Sequence, residues 1–490
     1  MKFRWMFLMV LSAAAQSFAG QMITQPGKSP LVTIRLVFRT GAASDPKGKE
    51  GLAALTAAMV AEAGSRRLTY QQILDALFPM AVNIDDQVDK EMTTFSTETH
   101  VDNLEKFYGI FRDMVLDPGW REDDLRRLKD SAINFLQVSL RGNNDEELGK
   151  EVLYNEIYAG HPYGHYDIGR VSAIRSITMD DLKQFYRTHY NASNLTIAVA
   201  GGYPKDFPSR LQQDFSRLKG SADKLRLPAP KRIDGRELVM VEKQTRSVAI
   251  SLGFPIDVRR GDADFVPLLV AKSWLGQHRS SGGRLYDRLR EKRGLNYGDY
   301  AYIEYFPRGM YQFEPDPNLA RKQQIFQVWI RPVKPETAHF ALRLAIHELE
   351  RFHRQGLSEE DFEQTRTFLS KYVNLLTKTK RAELGYAIDS QYYGIPNYNT
   401  YLKSALAKLT RDDVNRAIRK HLPMENMKIV VIAENCGKLR DAILSEARSP
   451  MKYNSPKPKE ILEEDEIVEK LPLHVRKDSV KILPVNTVFE

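Results

Sequence analysis

One cysteine, Cys436, occurs in 490 residues. That excludes an internal disulfide and leaves stability to the size of the core. Beyond the first twenty residues, no apolar run reaches the roughly 20 residues a membrane-spanning helix needs. A basic tract is also missing. Lys and Arg number 72 against 63 Asp and Glu, and the small excess is spread along the chain. Basic and acidic residues alternate on helical stretches such as REDDLRRLKD, residues 121–130, as on solvated helix faces. Nucleic-acid proteins gather their basic residues on one element, so a nucleic-acid partner is not expected. At 42% hydrophobic and 28% charged the proportions are those of a globular protein.

What the sequence does have is an internal echo. Residues 177–200, ITMDDLKQFYRTHYNASNLTIAVA, align without a gap to 409–432, LTRDDVNRAIRKHLPMENMKIVVI, with eight of 24 positions identical. The shared residues include Thr178/Thr410, Asp181/Asp413, His189/His421 and Asn194/Asn426. Each copy reads as a helix started by Thr and Asp acceptors, then a buried strand in the apolar run. The offset of 232 residues exceeds any solenoid period, which falls near 20–50, and is the spacing of two duplicated domains. At about 150 residues per domain the length accommodates both. The expected class is α+β: two duplicated halves, each an antiparallel sheet flanked by helices.

The first residues read as a targeting segment. Lys2 and Arg4 precede an apolar run from Trp5 to Ala15, and Ser17-Phe18-Ala19 supplies small residues for cleavage. A signal peptide over 1–19 implies an exported chain, periplasmic or secreted, without a membrane span. The halves are then expected over 22–220 and 238–448, joined by the Pro- and Lys-rich linker 221–237. From residue 449 the chain is Pro-rich and charge-blocked, and an extended arm is expected over 449–490. Strands are expected at Leu31–Arg39, Val82–His100 and Ser247–Phe254. Helices are expected at Leu52–Ala63, Thr69–Phe78, Val101–Leu116, Glu122–Ser139, Asp145–Tyr158, Ala263–Leu275, Glu336–Gln355 and Glu359–Thr379. A helix–strand unit is expected at Arg284–Phe306.

Four stretches carry a family resemblance: GAASDPKGKEGLAALTAAM (41–59), HPYGHYDIG (161–169), FYRTHYNASNLTIAVAGG (185–202) and GGRLYDRLREKRGLNYG (282–298). In this order they resemble the pitrilysin/insulinase zinc peptidases, especially bacterial members related to the mitochondrial processing peptidase. The likeness runs from about residue 30 to 445. It implies a clamshell chamber of which this chain forms half.

Catalytic members of that family carry HxxEH on the helix after the first turn, two His holding zinc and the Glu activating water. In this sequence Ala54, Ala57 and Ala58 stand at those positions, and alanine offers no donor atom. The carboxylate expected 70–80 residues further on is missing as well, since Ser131–Gly142 contains none and only Asp130 lies nearby. This chain should therefore bind no zinc. Other histidines do not replace the site. His161 and His165 are separated by Pro162 and Gly164 and should fix a turn. His347, Glu350 and His353 fall on different faces of one helix. His189 and His421, at matching helix ends, should meet the last carbonyls.

The second half retains what the resemblance leads one to seek. RLYDRLREKR (284–293) is an amphipathic helix that Gly294 is placed to stop, with a strand expected over Leu295–Tyr302. Arg290 and Tyr297 then project from one corner. In the family an Arg and a Tyr so spaced reach across to the zinc-bearing half and stabilise the oxyanion. Ser280, Ser281, Gly282 and Gly283 lie where relatives carry a Gly-rich substrate loop. The aromatic run Tyr297, Tyr300, Tyr302, Tyr305, Phe306, Tyr311 and Phe313 alternates with polar residues on expected strands. It suits packing of sheet on helices, or contact with an extended peptide. The resemblance thus implies a non-catalytic subunit: Arg290 and Tyr297 would complete the zinc site of a homologous HxxEH-bearing partner around an unfolded peptide. The alternative is an inert peptide-binding or structural subunit.

Overall fold

The computed structural model describes residues 20–221 and 225–490; the signal-peptide reading of 1–19 lies outside them. Two sheets organise the chain. The first has five strands, β1 (Gln21–Pro26), β2 (Leu31–Phe38), β3 (Ile84–Val88), β4 (Thr93–His100) and β5 (Leu195–Gly201), in spatial order β1-β5-β2-β4-β3. The second has β6 (Arg236–Glu242), β7 (Val248–Ile256), β8 (Asp299–Tyr302), β9 (Gln324–Val333), β10 (Met427–Ala433) and β11 (Lys481–Pro484), in order β11-β6-β10-β7-β9-β8. Apart from β11 the two orders are the same, strand for equivalent strand. The repeat seen in the sequence is therefore a repeat of topology.

Both copies of the repeated segment form their helices as their sequences direct. Thr178 accepts from the backbone N–H of Asp181 at 3.2 Å, and the Asp181 carboxylate accepts from the Thr178 N–H at 2.8 Å. Thr410 and Asp413 repeat the pair, both distances 3.2 Å. These reciprocal bonds satisfy N–H groups that the first helical turn leaves open. Each helix then delivers an interior strand of its sheet, β5 buried throughout and β10 buried except at Lys428.

The sheets are antiparallel at most pairings, as expected, and parallel at three. β1 runs parallel to β5, β6 parallel to β10, and β11 parallel to β6. Parallel neighbours require a long crossover, and here nearly a whole half of the chain separates them, so no local turn signal could announce them.

The halves are not independent. The helix Asp145–Ile157 of the first half packs against β7 and β10 of the second sheet, while Lys380–Tyr393 packs against β5, β1 and β2 of the first. Shifted by 232 residues, the first span nearly coincides with the second, so the duplicated chain exchanges equivalent helices. Buried charges reinforce the exchange. Arg321 is 0% exposed; its Nε donates to Asp89 Oδ2 at 2.7 Å and its guanidinium lies 3.8 Å over the Tyr305 ring. Glu91 accepts from the Tyr392 hydroxyl at 2.9 Å and the Lys322 N–H at 2.7 Å.

The tail is more than an extended arm. Lys459–Val468 is helical, β11 pairs with β6, and Val488 and Phe489 are buried at the chain's own surface. The Phe489 carbonyl accepts from Val171 N–H at 3.0 Å. Ile461, Asp465 and Val468 are the buried residues of the tail helix, a contact surface too short to read as periodicity. Among the described residues no helix is long and apolar enough to cross a membrane.

Candidate functional site

The alanines lie on the helix Leu52–Glu62. Its N-terminus is held by Asp45, whose buried carboxylate accepts from Gly51 N–H at 2.7 Å and Ala53 N–H at 2.8 Å. His165 Nε2 sits 3.2 Å from the same carboxylate, and His161 Nδ1 accepts from Tyr163 N–H at 3.0 Å. These two histidines do fix a turn, as the proline and glycine between them imply. Ala54 and Ala58 share a half-buried face with Glu62, and Ala57 is buried. That face continues to a polar cavity of about 530 Å³ between the halves, lined by Glu62, Asp85, Asp86, Arg308 and Arg381 among others. Burial, with the charge of Glu62 beside it, pushes the Asp86 carboxyl up to about 7. Among the described residues no group of three or more His, Cys, Asp or Glu could hold a metal ion. The donor set does not fit zinc.

His189 and His421 depart from the expectation. The His189 ring packs on Phe185, centroids 4.3 Å apart, and His421 Nε2 lies 2.7 Å from Asp264 rather than on its helix's carbonyls. His189 packs within its own helix while His421 meets a distant carboxylate, so matching sequence positions do not give matching roles. His347, Glu350 and His353 converge on nothing; Glu350 is taken by Arg236 at 2.6 Å.

The arginine-rich segment supplies the sharpest contrast. Tyr286–Glu291 winds as a π-helix, and Gly294 ends it with φ 69°, its N–H donating to the Arg290 carbonyl at 2.7 Å. Three of the arginines turn inward. Arg284 and Arg288 donate to Glu348 at 2.8 and 3.0 Å, and Arg293 to Asp465 of the tail helix at 2.8 Å; Arg288 and Arg293 also reach Glu464. Arg290 turns outward. Its partners are its own neighbours, the Tyr286 hydroxyl and Glu291 at 3.2 Å. Tyr297 is 75% exposed. Both line one open cavity of about 550 Å³, with Arg246, Asn296 and Lys334 on its walls. All of its lining residues belong to the second half, and the alanine helix contributes none. An exposed phenol and a guanidinium without a buried partner can donate to an anionic or carbonyl oxygen brought from outside.

The expected strand at this corner is shorter than the sequence suggests, only Asp299–Tyr302. Tyr297 precedes it, and Tyr305, Phe306, Tyr311 and Phe313 lie in irregular chain. Tyr300, Tyr302, Phe306 and Trp329 form a buried cluster, so packing accounts for most of the aromatic run. In the loop before the helix, Ser281 and Gly282 are exposed, Ser280 is half-buried, and Gly283 is buried. A Cβ on Gly283 would stand 3.0 Å from the Gly276 Cα, so this glycine permits close backbone packing; that account does not require a substrate. Sequence reasoning missed Asp45 and Glu348. Their signal is only the tertiary pairing of a carboxylate with a helix start and with two arginines.

Two exchanged α/β halves thus carry a helix whose Ala54, Ala57 and Ala58 offer no metal donor and a corner where Arg290 and Tyr297 face outward. The sequence profile of the insulinase family (peptidase family M16) matches residues 22–166, and that of the peptidase M16 inactive domain matches 176–369. The chain belongs to the peptidase M16 family. It is similar to the non-peptidase homolog YmxG of Helicobacter pylori, 21% identical over 82% of this chain and 89% of that protein. It is also similar to an uncharacterized zinc protease of Rickettsia bellii, 23% identical over 74% and 83%. Among solved structures, the peptidase M16 inactive domain from Pseudomonas fluorescens superposes with TM-score 0.74 at 22% identity, covering 86% of this chain and 97% of that one. A protease from Helicobacter pylori gives 0.72 at 15%, over 85% and 98%.

Proposed function

We propose that this chain is the non-catalytic subunit of a two-chain periplasmic zinc peptidase, lending Arg290 and Tyr297 to the active site of a homologous HxxEH-bearing partner. The observation that carries the reading is the division among the arginines. Arg284, Arg288 and Arg293 are bound to carboxylates of this chain, whereas Arg290 and Tyr297 face one open cavity with no buried partner. In the closed pair the phenol would donate one directed hydrogen bond to the oxygen of the scissile carbonyl. The guanidinium would hold the charge that develops there. Donors fixed before the reaction stabilise that charge without reorganisation. Zinc is assigned to the partner, because the alanine helix offers nothing to hold it. Unfolded peptide is the substrate class that a chamber formed between two such chains admits.

The test is reconstitution. The exported chain is co-purified with an HxxEH homologue from the same cell, and peptide cleavage is measured for each chain alone and for the pair. Cleavage by the pair only supports the reading. An HxxEH homologue fully active alone and unaffected by this chain removes it.

A further inference from the structure

A third cavity, small and partly open to the surface, lies beneath the loop that precedes the Arg290 helix. Its walls come from the helices Phe265–Gly276 and Glu359–Leu376 and from the segment that follows β8. The free volume is about 80 Å³. Phe313, 69% exposed, is among its lining residues and marks where it meets the surface. One wall is apolar: Leu369, Val373 and Leu376 recur on a single face of their helix.

Most charges on the wall are already matched. Arg260 pairs with Glu304 at 2.9 Å and Asp389 at 3.5 Å, and Asp316 with Arg308. His278 is held neutral: Nε2–H donates to the Gln312 carbonyl at 2.7 Å and Nδ1 accepts from the Tyr302 hydroxyl at 2.8 Å. Burial pushes this imidazole down to about 3. Lys272 differs. Its Nζ donates to the Gln277 side-chain carbonyl at 3.1 Å and forms no ion pair among the described residues. This half-buried ammonium has one neutral hydrogen-bond partner, and the Glu304 carboxylate whose charge acts on it is already bound to Arg260, so unused donors remain beside an apolar wall where a further anion can meet them.

We infer that this cavity binds a small organic monocarboxylate, its oxygens on Lys272 Nζ and its short apolar chain against Leu369, Val373 and Leu376. A cavity of about 80 Å³ admits only a short chain. A dianion such as phosphate would be under-neutralised by one ammonium, and a cation would find the nearby acids already engaged. Burial lowers Lys272 to about 8; a bound carboxylate would return it upward, so binding takes up protons near that pH.

The test uses the full chain with Leu and Val methyl groups labelled, titrated by NMR with sodium butyrate, n-butylamine and 1-butanol. Butyrate should shift the methyls of Leu369, Val373 and Leu376, and butylamine should not. Lys272→Met, which keeps the stem but removes the charge, should weaken butyrate by roughly tenfold or more, the worth of a charge-assisted hydrogen bond, and leave butanol unchanged. Should that variant not fold, Leu376→Phe fills the void from the opposite wall and should abolish the butyrate shifts. Absence of shifts with butyrate, equal binding of butylamine, undiminished binding by Lys272→Met or persistence in Leu376→Phe would each overturn the assignment.

Discussion

Arg293 is a fully buried cation whose partner, Asp465, lies 172 residues further along the chain, with Nε donating at 2.8 Å. Through this contact the tail holds the inner side of the very helix whose outer side presents Arg290. The position of the Arg290/Tyr297 corner thus depends on residues that sequence alone would assign to a trailing arm.

The tail should therefore be essential to stability. Asp465→Ala leaves Arg293 with Glu464 as its one carboxylate, so the loss should be a fraction of the about 3–5 kcal/mol that breaking a buried pair outright costs. Urea unfolding at neutral pH should show that loss for the single variant. The double variant Arg293→Met with Asp465→Leu should recover most of it, because it leaves no uncompensated charge. A single-variant loss below about 1 kcal/mol would show that Glu464 alone suffices for Arg293 and that the tail contact at Asp465 is dispensable.

At the corner itself, Tyr297→Phe should lower turnover of the reconstituted pair by about 100- to 1,000-fold, the usual effect of removing one oxyanion donor. Assembly and melting temperature should stay the same, since an exposed ring loses only its hydroxyl. Tyr300→Phe, on the adjacent strand and 4% exposed, serves as the control and should retain activity. Equal rates for both variants and wild type would mean that the corner plays no part in catalysis.

The exchanged helix should produce a pH signature. Burial, with Asp167 and Glu147 nearby, pushes the Glu151 carboxyl up to about 8, against about 4.3 for a free glutamate. The folded state then holds a proton that the unfolded state has released, so this group's contribution to stability falls as pH rises from about 4.3 to 8. Glu151→Gln keeps the hydrogen-bonding shape and cannot ionise. Its melting temperature should match wild type near pH 4 and exceed it increasingly up to about pH 8. A constant difference across that range would place the carboxyl's titration elsewhere.

Chelation should leave this chain untouched. With Ala54, Ala57 and Ala58 at the metal positions, EDTA should not move its melting temperature, and elemental analysis should find no stoichiometric zinc. Restoring Ala54→His, Ala57→Glu and Ala58→His together should still give only weak zinc binding, because Ser131–Gly142 supplies no carboxylate as a further ligand.

By itself the sequence determined whatever depends on local chemistry. The Thr178 and Thr410 caps, the apolar runs of β5 and β10, the glycine that stops the Arg290 helix and the missing donors at Ala54, Ala57 and Ala58 act over a few residues. Each follows from side-chain type and spacing. Tertiary structure alone decided what depends on contact between distant residues: the parallel pairing of β1 with β5, the exchange of Asp145–Ile157 for Lys380–Tyr393, and the docking of the tail helix on Arg288 and Arg293. The four arginines of RLYDRLREKR look alike as letters. Which of them are consumed by Glu348, Glu464 and Asp465, and which one is left facing outward, is settled by how the helix is rotated against carboxylates roughly 60 to 180 residues away, because a guanidinium's role is fixed by its partners.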